Sequence, residues 1–295
     1  MRPSSRLIAP LLALTVTAMS PLDLASQDSP TPDQRIVLVT GSTSGLGREV
    51  ALDLGAAGDH VIVHGRNAER GQAVVESIRA AGGSARFYQA DFASLDEISE
   101  LAAQIRSDYD RLDVLVNNAG IWLEGPRQLS EDGHELHFQV NYIATYLLTE
   151  SLAGLLQSSA PARVINVASI AQRPIDFDDV MLESGYSDGR AYAQSKLAQI
   201  MITRVHAERL EGSGVTVNAL HPATMMDTNM VLSRGARPRA SVEEGTEAVL
   251  HLIDAPDLGT GGYFNGTQPA RPHDQAFDTE ALEMLVALSR EWTSG

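Results

Sequence analysis

The sequence predicts an α/β fold: a doubly wound parallel sheet of about seven strands in a single domain, with helices on both faces. Short apolar runs alternate with longer amphipathic stretches from residue 36 onward, which is the pattern of βαβ units. A glycine-rich turn joins the first strand to the first helix. Polar side chains follow the carboxyl ends of several strands, where open parallel sheets bind ligands.

Composition limits the classes of function. The chain has 295 residues, of which 43% are hydrophobic and 20% charged, so it is long and apolar enough for one large core. Its formal net charge of −16 disfavours nucleic acid and anionic membranes, so a phosphate-bearing ligand must be held by local groups. The absence of cysteine excludes disulfides, thiolate metal sites and a cysteine nucleophile, and the histidines show no metal-ligand spacing.

Residues 1–34 differ from the rest and are interpreted as an N-terminal leader or disordered extension. Arg2 and Arg6 precede an apolar run over residues 7–19, an arrangement similar to a secretory signal. The run is too short to span a bilayer comfortably, and the cleavage-site chemistry is poor. We expect a cytoplasmic protein; export or weak membrane attachment through residues 1–26 is the alternative, and a start codon placed too far upstream is another.

A glycine-rich turn over residues 40–47 follows the first predicted strand, residues 36–39, and precedes a helix over residues 48–57. Its glycines permit a tight turn and a close approach to phosphate, while the helix offers unpaired N–H groups and its positive dipole end. The Gly-x-x-x-Gly-x-Gly spacing differs from that of most dinucleotide folds. The residues expected to contact a nucleotide cofactor here are Gly41, Ser42, Thr43, Ser44, Gly45, Leu46 and Gly47.

The end of the second strand, residues 60–64, indicates which cofactor. In NAD-selective Rossmann folds an acidic residue about 20 positions after the glycine turn binds the ribose 2′-OH. Here Gly65 stands at that place and Arg66 follows. A guanidinium without a competing carboxylate suits the 2′-phosphate of NADP. We therefore predict NADPH in preference to NADH; the alternative is that Arg66 is an ordinary surface arginine.

The third and fourth strands also end in candidate cofactor contacts. A helix over residues 67–81 precedes the third strand, residues 86–90. Asp91 and Phe92 follow it and are expected at the adenine end of the cofactor; the alternative for Asp91 is a helix N-cap.

The fourth strand, residues 114–116, runs into Asn117 and Asn118. Buried amides are costly unless they bond to backbone or ligand, so Asn118 is counted as a cofactor contact. A long helix is expected over residues 130–157, and it contains Asn141. Asparagine is a poor interior helix residue, so Asn141 is either solvent-facing or functionally placed.

Tyr192 and Lys196 are the candidate catalytic pair. The fifth strand ends at Ser169, and the next helix, which continues to about residue 210, places Tyr192 and Lys196 on one face. Lys196 is the only lysine among 22 Lys and Arg residues, which suggests that arginine does not serve there. A cation about 4 Å from the phenol favours the phenolate by roughly 4 kcal/mol at an effective dielectric near 20. The pKa of Tyr192 would fall from about 10 by up to roughly 3 units before desolvation opposes the fall, giving a general acid/base. The alternative is an ordinary pair on a surface helix.

The segment after the sixth strand, residues 215–220, is expected to choose the substrate. It carries Met225, Met226 and Met230, and methionine adapts to irregular apolar shapes, so we predict a mainly hydrophobic alcohol or carbonyl substrate. Core packing is the alternative for these methionines. A last strand near residues 262–265 precedes an amphipathic helix over residues 278–292, which is expected to cover the site or a partner subunit.

Taken in order, the motifs resemble those of the classical short-chain dehydrogenase/reductases, over about residues 35–266. The resemblance is carried by residues 40–47, 117–120 and by Asn141, Ser169, Tyr192 and Lys196. The segment at residues 138–141 and the long gap between Ser169 and Tyr192 are similar to the retinol-dehydrogenase-like branch.

The resemblance implies an NADP-dependent carbonyl reductase or alcohol dehydrogenase. Tyr192 would exchange a proton with the substrate oxygen, and Lys196 would lower its pKa and hold the nicotinamide ribose. Ser169 would hydrogen-bond the substrate oxygen, and Asn141 would support a proton relay through water. Pro222 and Thr224 would contact the nicotinamide, although Ala223 replaces the family's usual glycine between them.

The resemblance further implies a catalytic domain over residues 35–268, a tail over residues 269–295, and a homodimer or homotetramer. Two other functions stay open. A non-catalytic NADP-binding redox sensor or scaffold needs only the nucleotide site. A dehydratase or epimerase would use the cofactor without net consumption.

Overall fold

The computed structural model describes residues 29–294. The candidate signal and anchor segment, residues 1–26, lies outside them. Within the described residues the strands form one sheet in the order β3-β2-β1-β4-β5-β6-β7-β8. Their bounds are β1 Ile36–Val39, β2 His60–Gly65, β3 Ser84–Gln89, β4 Val114–Asn117, β5 Ala162–Val167, β6 Val215–His221, β7 Tyr263–Asn265 and β8 Gln268–Pro269.

The sheet is parallel from β3 to β7, and only β8, at one edge, pairs antiparallel, with β7. The strands β1, β2 and β4 are buried throughout and each contains an apolar run of at least three residues, as expected when helices cover both faces. The predicted doubly wound sheet is therefore confirmed, with one short strand more than the seven expected. The strand order reverses between β1 and β4, which opens a crevice at their carboxyl ends.

Helices cover both faces of the sheet. Their bounds are α1 Gly45–Ala56, α2 Ala68–Ala80, α3 Leu95–Asp108, α4 Ala144–Ser158, α5 Asp188–Arg209, α6 Asn229–Leu232, α7 Val242–Asp254 and α8 Thr279–Thr293. The helices α1, α2 and α7 pack on one face, and α3, α4 and α5 on the other. Within residues 29–294 no helix has both the length and the apolar character needed to cross a membrane.

The long helix predicted over residues 130–157 starts later and is not regular. Gly133 adopts a φ of 83° in a turn that delays the helix start. Helical structure begins at Leu136–Phe138, passes through a π-helical turn at Gln139–Ile143 and continues as α4. Asn141 lies in the π turn, fully buried, so the alternative that it faces solvent is wrong.

The C-terminal helix α8 packs on the chain's own core and does not line the crevice. Leu285 and Ala281 are buried in a cluster shared with α5, and the Tyr142 hydroxyl hydrogen-bonds Ser289. Trp292 meets Phe138 edge-on, with ring centroids 5.8 Å apart. The alternative that this helix covers the site is therefore wrong, and the alternative that it covers a partner subunit stays a prediction. Its apolar stripe completes the core.

Candidate active site

A crevice of about 600 Å³ runs along the carboxyl ends of the strands, from the glycine turn after β1 to the segment after β6. It brings together fifteen of the residues expected from the sequence to form the site. They are Gly41, Thr43, Ser44, Gly45, Leu46, Gly47, Arg66, Asp91, Phe92, Asn118, Ser169, Tyr192, Lys196, Pro222 and Thr224. Ser42 and Asn141 lie beneath the crevice wall rather than on it.

The glycine turn forms a cradle that side chains would fill. Gly41 has a φ of 66°, and a Cβ there would lie 2.8 Å from Cα of Ala119. A Cβ at Gly47 would lie 2.3 Å from Nδ2 of Asn118. That amide donates to the carbonyl of Thr40 at 2.8 Å and so braces the turn. The first turn of α1 starts at Gly45 inside the cradle, as the binding of a dinucleotide's phosphates requires.

Ser42 and His64 hold the turn from below. The backbone N–H of His64 donates to Oγ of Ser42 at 3.0 Å, and the Ser42 N–H donates to the His64 carbonyl at 2.9 Å. The hydroxyl and the backbone N–H of Ser42 thus both bond to His64, which differs from the expected contact with the cofactor. The N–H of Gly41 donates to Nδ1 of His64, and the opposite ring nitrogen donates to the Ala90 carbonyl. Burial lowers the pKa of His64 to about 4, so the ring is neutral.

Two guanidinium groups, rather than one, follow the end of β2. A Cβ at Gly65 would lie 2.5 Å from the side chain of Thr43, so the missing acidic residue has a packing reason as well. Arg66 is largely exposed and its guanidinium lies 3.6 Å from the carboxylate of Asp91. Arg70, in the first turn of α2, also lines the crevice. The sequence reasoning missed it, although its place four residues after Arg66 was visible.

Asp91 and the two adjacent asparagines have distinct roles in the structure. Ser94, not Asp91, caps α3, because its Oγ accepts from the N–H of Glu97. Asn117 is buried and donates to Oγ1 of Thr149 and Oδ1 of Asn166 at 3.0 and 2.9 Å. Only Asn118 reaches the crevice. One amide therefore serves the core and the other the site.

Lys196 is buried, and its hydrogen bonds go to groups other than the phenol. Its Nζ donates to the carbonyl of Val167 at 2.9 Å and to Oε1 of Gln199 at 2.8 Å. The same atom lies 5.8 Å from the ring centroid of Tyr192. Burial lowers the pKa of Lys196 to about 7. Gln199, three residues along the same helix, was not predicted as a partner.

The direction of the pKa of Tyr192 differs from the expectation. Burial raises it, while a hydrogen bond with Ser169 and the charge of Arg234 lower it by less. The expected acidifying cation, Lys196, makes its two hydrogen bonds elsewhere. The sequence showed the i, i+4 spacing but not that this face of the helix is buried.

Asn141 links the helix that carries Lys196 to the segment that follows β4. Its Nδ2 donates to Oγ of Ser195 at 2.9 Å, and its Oδ1 accepts from the N–H of Ile121 at 2.7 Å. A Cβ at Gly120 would lie 3.3 Å from both Oδ1 of Asn141 and Nζ of Lys196. Glycine at position 120 therefore gives the ammonium its space.

The turn after β6 accommodates alanine without strain. Ala223 is absent from the non-glycine residues with positive φ within the described chain, so its replacement of glycine has no backbone cost. The positive φ, 53°, falls at Met225 instead. Met225, Met226 and Met230 all line the crevice, and Met226 also packs against Gly245 of α7.

Comparison with known proteins gives one family. The family model described as "short chain dehydrogenase" matches residues 35–238. Human retinol dehydrogenase 13 is 34% identical over 314 residues, covering 97% of this chain and 94% of that protein.

Solved structures agree with the sequence comparison. A short chain dehydrogenase from Escherichia coli CFT073 complexed with NADPH is 28% identical, covers 82% of this chain and 99% of its own, and superposes with a TM-score of 0.65. The Pseudomonas aeruginosa RhlG/NADP active-site complex is also 28% identical, covers 84% and 97%, and gives a TM-score of 0.66.

Proposed function

The chain belongs to the short-chain dehydrogenase family, in its retinol-dehydrogenase-like branch, and on this premise we propose an NADP-dependent oxidoreductase of apolar alcohols and carbonyls. The observation that carries the proposal is the placement of Tyr192 and Ser169 in the crevice that begins at the glycine cradle. Hydride transfer is the chemistry that a bound nicotinamide supplies. The residues around it then have to bind, orient and manage one proton.

The residues present fit a dinucleotide along the whole crevice. The cradle at Gly41 and Gly47 leaves room for phosphates against backbone N–H groups at the start of α1. Arg66 and Arg70 would hold the adenosine end, and Pro222 and Thr224 the nicotinamide end. The family supports a nicotinamide cofactor; the contacts of individual residues are part of our proposal.

Tyr192 is proposed to exchange the proton with the substrate oxygen. Burial raises the pKa of Tyr192, so the phenol stays protonated near neutrality and is present in the form that can supply the proton in reduction. Ser169 would donate a second hydrogen bond to the same oxygen. Lys196, with its pKa lowered to about 7, is the group from which the phenolate can be reprotonated, with Asn141 supporting that relay from beneath.

Tyr192→Phe tests the mechanism directly. We expect NADPH oxidation with an apolar ketone or aldehyde to fall about 10²-fold to 10⁴-fold, because the proton donor is removed while the ring stays. NADPH affinity, measured by fluorescence titration, should be kept. Full activity in this variant would remove the proposed role of Tyr192.

We propose NADPH in preference to NADH because a guanidinium, not a carboxylate, stands at the end of β2. Arg66→Asp should weaken NADP binding far more than NAD binding, since the 2′-phosphate loses its partner and meets a like charge. Arg290→Asp makes the same charge change on the exposed side of α8 and serves as the control. Equal loss for both cofactors would overturn the preference.

The substrate is proposed to be mainly apolar because Met225, Met230 and Val231 line the crevice beside Ile121. A panel of alcohols, ketones and aldehydes with graded alkyl size, assayed by NADPH absorbance, should give kcat/KM that rises with apolar area. A preference for charged or highly polar substrates would contradict the proposal.

Three wider proposals accompany the function. The catalytic unit would span residues 35–268, with 269–295 as a tail packed on it. A homodimer or homotetramer is testable by light scattering of the full chain. A cytoplasmic location, against export or attachment through residues 1–26, is testable by fractionation of cells that express it.

A further inference from the structure

The backbone on both sides of Trp122 is fixed in place by buried polar side chains. The N–H of Ile121 donates to Oδ1 of Asn141, whose Nδ2 donates back to the Ile121 carbonyl at 3.0 Å. On the other side the N–H of Leu123 donates to Nε2 of His137 at 2.9 Å.

His137 is itself held by a buried partner. Its Nδ1 donates to Oε1 of Glu135 at 2.8 Å, and both side chains are almost fully buried. The amide of Asn141 and the imidazole of His137, one turn apart, therefore grip the residues before and after Trp122. Because two buried polar side chains hydrogen-bond this short stretch of backbone, the orientation of the indole between them is fixed.

The indole lies between the catalytic phenol and a guanidinium. Its ring stacks on Tyr192 with centroids 4.4 Å apart and an interplanar angle of 10°. Arg234 covers the opposite face, with its guanidinium carbon 3.7 Å from the ring centroid. Phenol, indole and guanidinium thus form a three-layer stack at the substrate end of the crevice.

Arg234 joins three segments that are far apart in sequence. Its nitrogens lie 3.3 Å from Oδ2 of Asp188, in the first turn of α5, and 3.4 Å from Oε1 of Glu124. The residue itself follows α6, in the segment whose Val231 and Ser233 line the crevice. Its side chain is mostly buried, which is unusual for an arginine in a surface loop.

One feature of the stack favours opening. Nε1 of Trp122 is buried and has no hydrogen-bond partner among the described residues. A buried donor without a partner is unfavourable, and separation of the layers would expose it to water or to a ligand. The unpaired N–H of Trp122 therefore raises the free energy of the stacked arrangement, relative to a stack in which that donor had a partner.

We propose that Arg234 is a clasp that closes the segment after β6 onto Trp122, and that the clasped indole sets the size of group admitted beside the reacting carbon. Arg234 is a positioning residue, since it reaches Tyr192 only through Trp122. Trp122 determines specificity, because its fixed ring occupies the space flanking the phenol. This inference rests on the proposed function for its substrate part only.

The clasp also carries a charge toward the phenol. The charged and titratable groups around Tyr192 are Lys196 on its own helix, Tyr263 from β7, and Arg234 with its two carboxylate partners. Removing the guanidinium leaves those carboxylates without their cation, so the phenolate is disfavoured. The basic limb of the pH profile then moves to higher pH.

The first experiment follows the stack without any turnover. Trp122 and Trp292 are the two tryptophans, so Trp292→Phe leaves the indole of interest as the only one. In that background Arg234→Gln should raise acrylamide quenching of Trp122 several-fold. Arg237→Gln removes the same charge from an exposed position of the same segment and should leave quenching unchanged. Equal quenching in both variants overturns the clasp, whether or not a substrate has been found.

The second experiment separates the clasp from its charge. Arg234→Lys keeps the positive charge but loses the planar stack. The pH at which kcat falls on the basic side should therefore stay the same, while quenching and KM rise. Arg234→Gln should raise quenching and KM and also move that fall in kcat to higher pH.

Trp122→Ala should raise kcat/KM for a ketone branched next to the carbonyl, relative to its linear isomer, by about tenfold or more, and Trp122→Phe by less. An unchanged ratio in Trp122→Ala overturns the role in specificity. Absence of turnover in the parent enzyme would count against the proposed function and leave the quenching result standing.

Discussion

Gly120 shows how a single missing side chain can control a catalytic group. A Cβ there would press on Nζ of Lys196 and Oδ1 of Asn141 at 3.3 Å, and both atoms already have specific hydrogen-bond partners. The position of the ammonium therefore depends on the lack of a side chain at Gly120 as well as on its two hydrogen-bond acceptors.

Gly120→Ala should consequently lower activity more than stability. We expect kcat/KM to fall on the order of tenfold to a hundredfold, because small displacements of catalytic groups are costly. Gly154→Ala, in α4 with nothing near its added Cβ, is the control and should leave activity intact. Steady-state kinetics and urea unfolding of both variants provide the test, and equal effects on activity would refute the crowding argument.

At this same scale the sequence identified positions better than environments. Lys196 was recognisable as the only lysine, and its i, i+4 relation to Tyr192 placed both on one wall. The shift in the pKa of Tyr192 was predicted in the wrong direction, because burial depends on contacts distant in sequence. The inward use of Ser42 was hidden for the same reason, since its partner is on β2.

Between elements, a buried chain of amides and hydroxyls ties the middle of the sheet to two helices. Asn117 of β4 donates to Asn166 of β5 and to Thr149 of α4, and Asn166 donates to Thr203 of α5 at 2.8 Å. These groups are almost fully buried, so each depends on the others for its hydrogen bonds.

Asn166→Ala should therefore destabilise the fold by about 1–3 kcal/mol, the range for leaving buried polar groups unpaired. Asn265→Ala on β7, where the side chain is exposed, should have a much smaller effect. Urea unfolding monitored by circular dichroism measures both. A neutral result at position 166 would mean that water replaces the lost amide.

The strands β2 and β6 carry three histidines whose burial makes the fold acid-sensitive. Burial lowers the pKa of His60, His64 and His221 to about 4, below the value of about 6.5 in an unfolded chain. The unfolded state then binds more protons between those values, so the free energy of unfolding falls as pH falls through that window.

Each of the three histidines contributes a slope of up to about 1.4 kcal/mol per pH unit. Urea unfolding at about pH 7 and about pH 5 should show the loss, and His60→Gln should make it smaller. An unchanged pH dependence in that variant would show that His60 is not neutral in the folded protein.

Element boundaries were predictable where the local signal is strong. Ser94 and Asn67 cap α3 and α2 with their own side chains. The late start and the π turn of the segment before α4 were not, because they depend on contacts made by buried residues such as Asn141 and Glu135.

For the molecule as a whole, the alternation of apolar runs and amphipathic stretches was sufficient to predict the doubly wound sheet. The sequence-based prediction was wrong in placing α8 over the site. An amphipathic stripe indicates that one face of a helix is buried, but not which part of the molecule buries it. In the structure the buried face of α8 packs against α5 of the same chain.

Leu285→Ala should thus lower global stability by about 2–5 kcal/mol, as expected for a buried leucine. NADPH affinity of the folded fraction should stay constant, because α8 is remote from the crevice. Met284→Ala, on the exposed side of the helix, is the control. Loss of affinity in step with stability would restore the idea that α8 covers the site.

The solitary lysine also makes this enzyme unusually simple to observe. Reductive methylation with carbon-13 formaldehyde would attach an isotopic label to one ε-amine, separate in chemical shift from the N-terminal amine, so no resonance assignment is needed. Because burial lowers the pKa of Lys196, that signal should titrate at a lower pH than the signal of an exposed methylated lysine would. A nicotinamide nucleotide seated over it should protect it from the reagent. The chain is its own single-site spectroscopic reporter.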